Sequence, residues 1–270
     1  MGQIFVSGLI NIETTLAVDA FPIEYEPVRY PFFGVRSTVS GVGVNIAAAL
    51  TTLGREVRLA SIVGRDAEAV RARDDLVQRG VDPGLVLDVV EQTATAVILY
   101  DPSGRRLINT DLKDIQDASY PLEVATAAIT ASDAAVLCNI NFSRPLLNVA
   151  RELGKPVFTD VHALGDPDDD YNADFMRAAD VLFLSNELFI GRERELVGEL
   201  RGRFASPLVV VGLGAEGALL FDAADDSFTH EGAVAHPLQN GRWLFWIANG
   251  VTRTVPAPGP FAGRSGAPST

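Results

Sequence analysis

Apolar and polar positions change rhythm repeatedly along the chain, and that rhythm predicts its elements. Ile4 to Ile10 is an apolar run interrupted by Gly8, the pattern of a strand whose backbone closely approaches another segment. Residues 14–38 alternate apolar and polar positions but carry Pro22, Pro27 and Pro31, which predicts short edge strands. SGVGVNIAAALTTLG (40–54) follows, a glycine-rich turn entering an alanine-rich helix that stops at Gly54. VRLASIVG (57–64) is a strand, and DAEAVRARDDLVQRG (66–80) is an amphipathic helix ending at Gly80. TATAVILYDPSGRRLINT (93–110) reads as a hairpin turning at Pro102-Ser103-Gly104. Beyond it, helical stretches alternate with the apolar strands AAVLCNI (134–140), PVFTDV (156–161), VLFLS (181–185) and LVVVGLG (208–214).

Strands of nearly continuous Val, Leu and Ile alternating with helices predict an α/β protein. Its sheet would be parallel and covered by helices on both faces. Segments 14–38 and 95–110 fall outside that rhythm and are expected to form a small antiparallel flap on the α/β body.

Composition narrows the setting. With 47% hydrophobic residues among 270, the chain can bury a sizeable core, which excludes disorder for its bulk. The net charge of −13 repels phosphates, so nucleic acid and anionic membrane surfaces are not expected partners. One cysteine, Cys138, excludes an internal disulfide framework. No signal-like segment or long apolar run is present, and the cytoplasm is the expected location.

The charge is unevenly spread. Residues 1–236 hold all 35 acidic and 19 of the 22 basic residues, a net −16, whereas residues 237–270 hold three arginines and no acid. Both tryptophans, five prolines and five glycines also fall in the last 34 residues, which read as an atypical, partly disordered tail.

Two glycine clusters suit phosphate or polyol chemistry. Gly212-Leu-Gly214-Ala-Glu-Gly217 has the letters of a dinucleotide fingerprint, but ALLFDAADD after it reads as a strand. A fingerprint needs a helix there, so this is a tight turn between strands. Gly41-Val-Gly43-Val-Asn45 leads into a helix, where glycines admit a close ligand and the asparagine offers a donor and an acceptor.

Extended to Ala47, Gly54 and Gly64, that second cluster resembles the first signature of the PfkB, ribokinase-like, family of sugar kinases. Ser40 departs from the family's usual Gly or Ala. Gly8-Leu-Ile-Asn11-Ile-Glu13, Gly64-Arg-Asp66, Asn186-Glu187, and Gly214 with Gly217 also fall where the family has counterparts, so the resemblance spans roughly residues 3–236. It implies a three-layer αβα domain with a small β lid, and ATP-dependent phosphorylation of a sugar-like hydroxyl with Mg²⁺. By matching position it assigns Asn11, Glu13, Gly41, Gly43, Asn45 and Asn141 to the substrate. Asn186, Gly214 and Gly217 go to ATP, and Glu187 to the metal.

Two departures bear on catalysis. The family has Asn-x-x-Glu at the metal-linked strand end, and Phe189 stands where that glutamate belongs. The family's second signature, Gly-Ala-Gly-Asp, is replaced by HPLQNGRWLFWIANG (236–250), so no catalytic aspartate is assigned. An impaired kinase is expected, since a general base is worth about 10²–10⁴ in rate. The tail reads as a frameshifted sequence, in keeping with 20 arginines against 2 lysines, the mark of a GC-rich gene. The alternatives are a non-catalytic sugar- or nucleoside-binding protein, and a nucleoside kinase using Tyr30, Phe32 and Phe33 to stack on a base. Unpaired flap edges suggest a homodimer. Asp166-Pro-Asp168-Asp-Asp170 lacks the glycine of a calcium loop and reads as a solvated acidic turn.

Overall fold

A computed structural model describes residues 2–233. The readings made for residues 237–270, including the frameshift and the replaced signature, lie outside the described residues. In chain order the strands are β1 (Gln3–Ser7), β2 (Asn11–Ala17), β3 (Val35–Ser40), β4 (Glu56–Val63), β5 (Val86–Asp88), β6 (Ala94–Tyr100) and β7 (Arg106–Asp111). They continue as β8 (Ala134–Leu137), β9 (Val157–Ala163), β10 (Val181–Ser185), β11 (Leu208–Gly212), β12 (Ala218–Asp222) and β13 (Ser227–Glu231). The α-helices are α1 (Val42–Thr52), α2 (Ala67–Gln78), α3 (Leu122–Thr130), α4 (Arg144–Glu152), α5 (Ala173–Ala178) and α6 (Glu193–Phe204).

Nine strands form one sheet in the order β13-β12-β11-β10-β9-β8-β1-β4-β5. From β5 to β11 every pairing is parallel, and β12 and β13 add antiparallel at one edge. Alternation along β1 shows why both faces must be covered. Phe5 points into a core shared with α3, α4, α5 and α6, while Val6 points into one shared with α1 and α2. Parallel strands end together, so the loops after β1, β8, β10 and β11 gather at one rim, the usual place for a ligand in such sheets.

A second sheet of four strands, β3-β2-β6-β7, stands over that rim as a lid. It corrects three expectations. The first apolar run is not one strand: β1 stops at Ser7, and Asn11 opens β2 in the other sheet. The 14–38 segment does not supply only edge strands, because β2 is interior; Pro22, Pro27 and Pro31 all lie in the loop 18–34, where no ladder needs their missing N–H. Nor is the lid wholly antiparallel. β2 and β6 run parallel, with Asn11 opposite Ala94, because the chain passes through the body between them. The hairpin of β6 and β7 is as expected, with its turn closed by Asp101, whose carboxylate accepts from the N–H groups of Ser103 and Arg105.

Two joints bind the lid to α2 of the body. Asp66 caps α2 by accepting from Ala69 N–H at 2.9 Å, and also accepts from the Thr93 N–H and hydroxyl at 2.7 Å, just before β6. At the other side, Arg71 donates to Ser37 O at 2.8 Å and Arg79 to Val39 O at 3.0 Å. These guanidinium groups of α2 occupy the carbonyls that β3 would otherwise offer to another strand. Among the described residues, no helix is long and apolar enough to cross a membrane.

Candidate functional site

Side chains alternate across a strand, so the lid face that carries Asn11 also carries Glu13 on β2. Register carries that face across the sheet: Ala94, Ala96 and Ile98 on β6, then Ile108 and Arg106 on β7. Ala94, Ala96 and Ile98 of β6 are buried on this face, whereas Val97 on the opposite face and Leu107 and Ile108 of the edge strand β7 are exposed.

Asn11 is 4% exposed, and its Oδ1 has no hydrogen-bond partner. Beside it, Gly41 sits at φ +110 before α1, and a Cβ there would lie 2.3 Å from Leu9 O and 3.1 Å from Asn11 Oδ1. The glycine is therefore required by backbone conformation and by space. No side chain caps α1. Asn45, in its first turn, donates through Nδ2 to Ser40 Oγ at 3.4 Å. Asn11, Glu13, Gly41 and Asn45 thus gather where the lid meets α1.

Gly43 has a packing role. A Cβ on it would stand 2.7 Å from the carbonyl carbon of Gly8, and a Cβ on Gly8 would stand 2.7 Å from Cys138 Sγ. The backbones of β1's exit and α1's first turn touch through this pair. Burial, and then the charge of Asp160, push the Cys138 thiol well above its ordinary pKa, so it packs as a small apolar group. Asn141 follows β8 in a short turn (Asn141–Ser143), and its Nδ2 donates to Gln116 O at 2.9 Å. That amide braces the turn at 113–117.

At the other end of the rim, Asn186 follows β10. Its N–H donates to Gly212 O at 3.1 Å, and its Nδ2 donates to Glu193 Oε1 at 2.7 Å. Glu193, the first residue of α6, also accepts from Gly191 N–H at 2.9 Å. Partial burial pushes the Glu193 carboxyl up. The hydrogen bonds from Asn186, Gly191 and its own backbone outweigh that and hold it below its ordinary value. Sequence reasoning missed Glu193 because it counted three residues from Asn186 and reached Phe189. Phe189 is buried in the core, and the loop carries the chain on to a carboxylate seven residues from the asparagine. An acid opening a helix beyond that loop was the available signal.

Glu187 is not the carboxylate that Asn186's amide bonds. Its Oε1 accepts from Arg106 Nη2 on β7 at 2.9 Å. Gly214 and Gly217 flank a short turn (Gly214–Glu216) joining antiparallel β11 and β12, so the dinucleotide fingerprint is absent as expected. A Cβ on Gly217 would lie 2.0 Å from Glu231 O, so this glycine serves the turn, whereas Gly214 at φ +61 faces open space. The acidic run 166–170 is folded on itself: Asp166 accepts from Asp168 N–H at 2.8 Å, and Asp169 from Asn172 Nδ2 at 2.7 Å. Among the described residues, no group of three or more His, Cys, Asp or Glu is arranged to hold a metal ion.

Comparison with known proteins gives the family and the fold. The profile of the pfkB family carbohydrate kinases matches residues 1–237. An ATP-dependent ribose-1-phosphate kinase of Halopiger xanaduensis is 29% identical over 248 residues, 88% of this chain and 77% of that protein. A microbiome-derived acarbose kinase superposes with a TM-score of 0.74 at 22% identity, covering 87% of this chain and 78% of that one. A ribokinase of Arabidopsis thaliana, solved with ribose and ATP, superposes with a TM-score of 0.72 at 17% identity, covering 92% and 84%. At such identities the structural likeness establishes the fold.

Proposed function

Since the chain belongs to the pfkB family of carbohydrate kinases, we propose that it holds a sugar or sugar phosphate between the lid and α1, for phosphorylation of a hydroxyl by ATP. Asn11 carries this reading. A buried acceptor without a donor costs about 1–3 kcal/mol, and a ligand hydroxyl is the donor that removes the cost. Glu13 on the same face adds a carboxylate acceptor, Gly41 lets the backbone turn into α1 close against Leu9 and Asn11, and Asn45 and Asn141 add amides. Groups of this kind reject analogues that lack the hydroxyl, because the buried partner is then left unpaired. The ribose-1-phosphate kinase among the relatives favours a phosphorylated pentose as the substrate.

ATP would lie along the other end of the rim, near Asn186 and the open side of Gly214, with Gly217 shaping the turn behind it. Mg²⁺ is commonly held by one or two carboxylates together with phosphate oxygens; Glu193 beside Asn186 would be such a carboxylate, whereas Glu187 is engaged by Arg106 of the lid, and the ion bound with ATP would neutralise phosphate charge. Residues 237–270 contain no Asp or Glu, so they supply no carboxylate base, and we expect transfer to be slow. Translating the two other reading frames beyond codon 236 tests the frameshift. A frame encoding Gly-Ala-Gly-Asp supports it, and the absence of that signature from both frames removes it.

The lone cysteine favours the cytoplasm. A homodimer through the lid is favoured by the exposed Val35, Val97 and Leu107 together with the loop aromatics, and a monomer by sedimentation would remove it. Tyr30 and Phe32 are 75% and 83% exposed with rings 6.3 Å apart. That pair also suits a nucleoside base, and competition among ribose, fructose, adenosine and inosine separates the two uses. Calorimetry with ribose and ribose 1-phosphate, beside an ATP turnover assay, tests the main reading. Expected is binding with turnover well below about 1 s⁻¹. Turnover at about 1–100 s⁻¹ removes the impairment, and failure to bind any sugar or sugar phosphate overturns the site.

A further inference from the structure

We infer that Arg106 is a phosphate-positioning residue of the lid, and that Glu187 holds it in reserve until a phosphate-bearing ligand enters the rim. The inference rests on the kinase reading above. Arg106 is on β7, opposite Tyr100, and so belongs to the lid face that also carries Asn11 and Glu13. Its guanidinium reaches across to Glu187, two residues beyond β10 and next to Asn186, with Nη2 and Oε1 2.9 Å apart. This contact brings a lid cation to the strand end where a transferable phosphoryl group would lie.

The lid's two edges are tied differently. On the β3 side, Arg71 and Arg79 of α2 bond backbone carbonyls, which cannot leave. On the β7 side, the tie is an ion pair between two side chains that are 38% and 50% exposed. Such a pair contributes little to stability. A phosphate offers more charge than a carboxylate, together with several oxygens for the planar guanidinium fork, so it competes well for Arg106. The β3 edge therefore behaves as the fixed side and the β7 edge as the exchangeable one.

The shared chemistry is a terminal phosphate oxygen, supplied either by ATP or by a phosphorylated sugar. Calorimetry on the full chain with a non-hydrolysable ATP analogue, with ribose 1-phosphate and with ribose separates the sources. Arg106→Ala should weaken the phosphate-bearing ligand about ten-fold, with Arg106→Lys in between. Glu187→Gln should strengthen the same ligand several-fold, because it removes the competitor. Ribose binding should stay within about two-fold of wild type in all three variants.

A pair that merely holds the lid shut would make both losses weaken binding, and would move ribose as well. Shifts of the same sign for Arg106→Ala and Glu187→Gln, or no shift in either while the wild type binds, overturn the inference. Should the wild-type chain bind none of the three probes, the kinase reading fails and this one with it. The probe that responds identifies the source of the phosphate.

Discussion

At the end of the rim proposed for the sugar, Asn11 keeps a buried acceptor without a donor, whereas at the end proposed for ATP, Asn186, Glu193 and Glu187 are all paired within the chain. The first arrangement is prepared for a ligand before it arrives, since the cost of the missing hydrogen bond is already carried by the fold. The second has to exchange partners, and its Arg106–Glu187 pair is half-exposed. A sugar should therefore bind with little rearrangement, whereas a phosphate ligand should be felt by the lid.

Four substitutions bear on that contrast, taken from the largest expected effect downward. Gly43→Ala drives a methyl into the Gly8 backbone, 2.7 Å from its carbonyl carbon, and should cost about 3 kcal/mol or more in denaturant unfolding. A loss below about 1 kcal/mol would mean that the junction of β1 and α1 can relax, and that the sugar end is less rigid than argued. Asn11→Ala should weaken sugar binding about ten- to a hundred-fold by calorimetry. It should leave the melting temperature unchanged or raise it, because no hydrogen bond of the folded chain is lost and the unpaired buried oxygen is removed. A large drop in melting temperature with unchanged affinity would assign the residue to the fold instead.

Glu193 gives a pH test of the nucleotide end. Its folded pKa lies below the ordinary 4.5, so its stabilising contribution is fully present above that value. The contribution is lost as pH falls through the folded pKa. The stability gap between wild type and Glu193→Gln should thus be constant above about pH 4.5 and shrink on acidification; a gap independent of pH would detach the carboxylate from Asn186. The smallest effect belongs to Glu187→Gln, which should change unfolding free energy by less than about 1 kcal/mol. A larger loss would make the Arg106 tie structural rather than exchangeable.

Much of the body was legible before the structure. The apolar runs that predict β4, β8, β9, β10 and β11 are the strands observed, because a strand buried on both faces must be apolar almost throughout. The rejection of a dinucleotide fingerprint at Gly212–Gly217 also stands, since a strand-like run after the glycines becomes β12. The lid was only half legible. Its mixed pairing depends on which strands meet after the chain has passed through the body, and local alternation says nothing about such a meeting.

The amino-acid pattern alone determined the α/β class, the family resemblance, and the glycine, asparagine and glutamate positions that deserve attention as ligand contacts. Tertiary structure decided which of those groups are already engaged within the chain. Gly43 and Gly217 have backbone packed where a Cβ would stand, Glu187 pairs with a lid arginine 81 positions away in sequence, and Glu193 is the carboxylate bonded to Asn186. The reason is that spacing sets which residues are close along the chain. Whether a polar group keeps its hydrogen bonds for a ligand depends on every neighbour that folding brings to it.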